Sequence, residues 1–60
     1  MTFEETILDA DRLRKEGKTI PHFHRQRIKA AMKKEGEKCK LTTFIQGRAF
    51  RIRNKVLTNT

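Results

Sequence analysis

Arg25, Lys29 and Lys33 recur every four residues between Pro21 and Gly36, with His22 and Gln26 beside them. On a helix that spacing brings all five side chains to one face. A row of cations grips phosphate oxygens. His22 and Gln26, early in the helix, sit where base edges are read: Gln pairs bidentately with adenine, and Arg with guanine. A second basic set, Arg48, Arg51 and Arg53, follows a Gly near the end of the chain. The chemistry these residues suit is non-covalent recognition of a polyanion. An ordinary solvated face is the plain alternative, but such faces mix signs, and this row contains no acid.

Other chemistries fit less well. His22 and His24 with Cys39 suggest a metal site, yet residues two apart on a helix point about 200° apart. No second Cys and no further His completes four ligands, so no metal and no cofactor is expected. His24 is expected at the edge of the core and Cys39 as a small, at least half-buried hydrophobe. The chain has no Ser, hence no serine triad, and Asp9 and Asp11 diverge on their helix. With 60 residues there is no room for a pocket of enzymatic depth, so a non-enzymatic protein is expected.

The charge is uneven. The chain carries 15 Lys or Arg against 7 Asp or Glu, a net +8. Residues 1–16 hold three basic and five acidic residues, net −2. Residues 17–60 hold twelve and two, net +10. Self-repulsion among so many cations opposes compaction, which an anionic partner would relieve. The lone cysteine precludes an internal disulfide and fits a reducing cytoplasm. The acidic start is not that of a signal peptide, and no apolar run approaches the roughly 20 residues of a membrane span.

The elements that must position these residues follow from periodicity. Residues 2–16 are predicted to form a helix. Thr2 and Glu5 fit a capping box, Phe3, Ile7, Ala10 and Leu13 form an apolar stripe, and Gly17 is the stop. A second helix is predicted over 21–35. Pro21 lies in its first turn, Thr19 or Ile20 caps it, and Phe23, Ile28, Ala31 and Met32 face inward. Residues 40–53 read as a β-hairpin. Leu41, Thr43 and Ile45 alternate, Phe50 and Ile52 alternate, and Gln46-Gly47 fits a two-residue turn. In that register Lys40, Thr42, Phe44, Ala49, Arg51 and Arg53 share the outer face. Phe44 is then either covered by Val56, Leu57 or the acidic first helix, or exposed as a stacking platform or partner anchor. Val56 and Leu57 are expected to fold back on the core, and Thr58 to Thr60 to fray. The fold class implied is α+β, one domain of two helices followed by a hairpin, a minimal winged helix.

The stretch from Gly47 through Phe50 and Arg53 to Val56-Leu57, following a basic helix that ends at Glu35-Gly36, resembles the wing of small excisionase and MerR-type winged-helix modules. The shared features are a Gly-Arg turn, an aromatic strand and a closing apolar pair. The resemblance implies an accessory DNA-binding factor of a phage or other mobile element, serving recombination or transcription control, often as several cooperating copies.

Taken together, the sequence points first to duplex DNA bound by His22, Arg25, Gln26, Lys29 and Lys33 of helix 2 and by Arg48, Arg51 and Arg53 of the hairpin. A second reading is an RNA or single-strand binder in which Phe44 stacks. A third is a small inhibitor or adaptor docking an acidic protein surface. The oppositely charged segments also suggest head-to-tail self-association along DNA.

Overall fold

A computed structural model describes residues 1–58 of the chain, with side chains described through Lys55. Three helices follow one another: α1 (Phe3–Lys15), α2 (His22–Glu35) and α3 (Leu41–Thr58).

The first helix begins as its sequence demands. The Thr2 hydroxyl accepts a hydrogen bond from the Glu5 amide at 3.2 Å, and the Glu5 carboxylate accepts one from the Thr2 amide at 3.5 Å. Two otherwise orphaned amides are thereby satisfied. Glu4 and Glu5 in the first turn and Arg12, Arg14 and Lys15 in the last complement the helix dipole. Both α1 and α2 end in the same motif. Gly17 and Gly36 adopt φ values of 73° and 71°. The Lys18 amide reaches the Leu13 carbonyl and the Glu37 amide the Met32 carbonyl, each at 2.9 Å. A side chain in this left-handed conformation costs roughly 1–2 kcal/mol, which is why glycine stands at both ends. Pro21 itself is the residue that caps α2, through its position and without a side-chain bond. Neither Thr19 nor Ile20 takes the capping role expected of it.

The core draws on all three helices. Ile7 and Ala10 come from α1, Ile28 and Met32 from α2, and Phe44, Ile45, Ala49 and Ile52 from α3. Phe3, Leu8, Ile20 and Leu41 close its edges. Each fully buried isoleucine contributes about 1.5–3 kcal/mol of transfer free energy, and there are few of them, as a 60-residue chain requires. The α1–α3 contact is the most extensive.

The hairpin expectation is overturned. No strand occurs among the described residues, and the α+β winged-helix class gives way to an all-helical three-helix bundle. Gln46 and Gly47 lie inside α3, not in a turn. The physical reason lies in a pattern with two solutions. Leu41, Ile45, Ala49 and Ile52 are spaced four, four and three, and Phe44 and Arg48 fall beside them, so a 3.6 period accounts for the same apolar residues. The helical solution exchanges two aromatics. Phe44, assigned to the outer hairpin face, is 6% exposed, and Phe50, assigned inward, is 64% exposed. Phe23 also lies outward, at 68%, contrary to the inward face predicted for it. Cys39, expected to be at least half-buried, is exposed in the α2–α3 connection. The expectations for Val56, Leu57 and residues 58–60 fall outside the described side chains.

Candidate nucleic-acid interface

The outer surface of α2 is built by subtraction. Its buried residues, His24, Ile28 and Met32, repeat every four positions and face the bundle. The arc beside that stripe, beginning about 20° past Met32, faces solvent. His22, Arg25, Gln26, Lys29 and Lys33 are all exposed there, within an arc of roughly 100° at 100° per residue. Arg25 and Lys33 are separated by about 12 Å of helix rise. None of the five side chains has a hydrogen-bonding or ionic partner among the described residues. Lys34 extends the exposed cations at the end of the helix, and Lys38 and Lys40 extend them into the following connection.

The three arginines expected on a wing are distributed differently. Arg48 is half-buried. Its guanidinium lies 2.6 Å from the Glu35 carboxylate and 5.0 Å from the centre of the Phe44 ring. Arg53 lies 2.9 Å from Asp11. Both arginines thus tie α3 to the other helices. Arg51 alone of the three is exposed and has no ionic partner among the described residues. The structure therefore gathers the five α2 residues on one face. It leaves Arg51 on a different helix and commits Arg48 and Arg53 to packing. Phe44, expected either under cover or exposed as a stacking platform or partner anchor, is a core side chain roofed by Arg48.

Several of the acids are committed elsewhere in the fold. Asp11 is 1% exposed and meets three cations. Arg14 donates to its Oδ1 at 2.9 and 3.3 Å, Arg53 lies 2.9 Å from Oδ2, and Lys15 lies 3.5 Å from Oδ2. Burial pushes the Asp11 carboxyl up. The Arg14 hydrogen bonds, Arg53 and Lys15 outweigh that and hold it below its ordinary 3.8. Asp9 joins α1 to α2. Its Oδ2 lies 2.9 Å from Nε2 of the buried His24, and its Oδ1 accepts from Arg12 at 2.7 Å. His24 and then Arg12 lower its carboxyl likewise.

The sequence reading gave Asp11 no part in packing, although a signal existed: Asp11 lies four residues after Ile7, on the same buried face. No cluster of three metal-ligating side chains occurs among the described residues, and no helix among them is long and apolar enough to cross a membrane. Comparison of the chain with protein-family models, with curated proteins and with solved structures finds no match.

Proposed function

We propose that this chain is a small non-enzymatic DNA-binding protein that lays the outer face of α2 along a duplex. The observation that carries the reading is the row Arg25, Lys29 and Lys33, exposed and without ionic partners in a chain that pairs so many of its other cations. The major groove admits one helix, and His22 and Gln26 lie near the start of this one, where recognition helices read bases. The cations bind phosphate and set position rather than sequence. The stretch from Gly47 onward that carried the winged-helix resemblance is helical, so the proposal rests on α2 and not on a wing.

A second reading has its own observation. Phe23 is exposed on α2, just beyond Gln26 around the helix. An aromatic ring bordering a cationic row is the arrangement that binds single strands by stacking, a role that the buried Phe44 does not offer.

Fluorescence anisotropy of a labelled 20-base-pair duplex, titrated at several salt concentrations against a single-stranded competitor, tests both. The duplex reading expects log affinity to fall with log salt by about 0.9 for each phosphate contacted, with the competitor displacing weakly. Preference for the single strand, lost in Phe23→Ala, moves the function to the second reading. Absence of binding at low salt removes both and leaves an acidic protein surface as the partner to seek.

A further inference from the structure

The end of α1, the α1–α2 connection, the first turn of α2 and the start of α3 border an open, shallow cleft of about 410 Å3. That volume lies in the range of small-ligand sites. Three cations from three different segments line it: Arg14 from α1, Lys18 from the connection and Arg25 from α2. No acidic residue lines it, although seven acids occur in the chain. The clefts beside Cys39 and beside Phe3 each include a carboxylate, Glu37 and Glu4 respectively.

Each of these cations keeps some donor capacity. Arg14 uses Nε and Nη2 on Asp11, which fixes the guanidinium and leaves Nη1 unengaged. Lys18 has only a 4.0 Å contact with the exposed Glu16, and a surface pair of that length holds little. Arg25 has no partner among the described residues. The apolar part of the lining is the half-buried Ile20 and Leu41, and the exposed Thr42 borders it. The first turn of α3, which contributes Leu41 and Thr42 to the lining, holds no acid.

We infer that this cleft binds one nucleotide unit, its phosphate held between Arg14, Lys18 and Arg25 and its sugar or base resting on Ile20 and Leu41. Three cations line one cleft whose lining contains no carboxylate, which favours an anion. A fixed guanidinium suits phosphate oxygens, and an apolar lining beside them suits the less polar part of the same ligand. The inference deepens the reading above, because Arg25 ends the α2 row and a nucleic acid following that row delivers a nucleotide to the cleft.

The test is a titration of the full chain, followed by amide chemical shifts, with inorganic phosphate, with adenosine monophosphate, and with the 20-base-pair duplex. Adenosine monophosphate is expected to shift Gly17 to Ile20, Arg25 and Leu41 to Thr43 saturably, and to bind more tightly than inorganic phosphate. Lys18→Ala, an exposed position whose loss leaves the core untouched, is expected to weaken that binding about tenfold, as removal of a charge-assisted hydrogen bond does. Shifts spread over all cationic residues without saturation, or saturable binding unchanged in Lys18→Ala, overturn the site. Equal affinity for the two small ligands overturns the role of the apolar lining. Duplex binding without shifts at the cleft defeats this inference and leaves the α2 reading standing. Saturable nucleotide binding without duplex binding does the reverse.

Discussion

Two regions of this molecule use the same residue types for opposite ends. At the α1–α3 seam, Arg14, Lys15 and Arg53 converge on one buried carboxylate, Asp11. On the outer face of α2, Arg25, Lys29 and Lys33 converge on nothing within the described chain. The seam charges hold the helices together. The α2 charges work against compaction, and the proposed counterpart is a nucleic acid outside the molecule. An arginine's role in a basic protein is therefore read from what its neighbours leave unpaired, and not from how many cations the chain carries.

The comparison breaks most visibly if Asp11 is removed. Asp11→Ala strands Arg14 and Arg53 against each other. Removing one partner of a buried pair costs about 3–5 kcal/mol, but here the cations are 27% to 55% exposed and regain water. A loss of about 2–3 kcal/mol in urea unfolding is expected, which is a large part of the stability of a domain this small. Unchanged stability would mean that the seam charges are ornamental.

Acid reaches the same seam without mutation. Asp9 and Asp11 both titrate below their ordinary 3.8 in the folded chain. Such groups add stability that is complete well above pH 3.8 and is lost as pH falls through their lowered folded values. Helicity followed by circular dichroism is expected to hold near neutral pH and to collapse below about pH 4, earlier in denaturant. Stability that rises on acidification contradicts the assignment.

Lys29→Glu with Lys33→Glu sharpens the other side. Both positions are exposed and unpaired, so stability is expected to change by less than about 0.5 kcal/mol. Duplex affinity, in contrast, is expected to fall about tenfold or more, and the salt slope by about 1.8 for two lost contacts. A stability loss here, without a binding loss, would reverse the roles assigned to the two regions.

The smallest effect concerns the scaffold. Gly47 lies inside α3, and a Cβ built on it meets no atom within 4 Å. Gly47→Ala is expected to stabilise the chain by about 1 kcal/mol, raising Tm by roughly 4–8 °C. In a hairpin turn the same change would be destabilising, so the sign also decides between helix and hairpin.

The first two helices were legible because their signals are local and redundant. The capping box at Thr2 and Glu5, the stops at Gly17 and Gly36 and the four-residue apolar spacing all agree. The third was not, because Leu41 to Ile52 satisfies periods of 2 and 3.6 alike. The alternation of Leu41, Thr43 and Ile45 and a Gln46-Gly47 pair that fits a turn point toward a hairpin, whereas packing against α1 selects the helix. The exposed α2 row was legible for the same reason as α2 itself. The commitments of Arg48 to Glu35 and Arg53 to Asp11 were not, since they cross 13 and 42 residues of sequence that only the tertiary fold brings together.

The most direct measurement compares the salt dependence of duplex binding in two variants: Arg25→Gln with Lys29→Gln and Lys33→Gln, and Arg53→Gln alone. The division of labour between the two regions expects the triple variant to lose about 2.7 from the slope of log affinity against log salt while remaining fully folded. It expects Arg53→Gln to keep the slope and lose stability instead. A slope unchanged in the triple variant, or lost in Arg53→Gln, would contradict it.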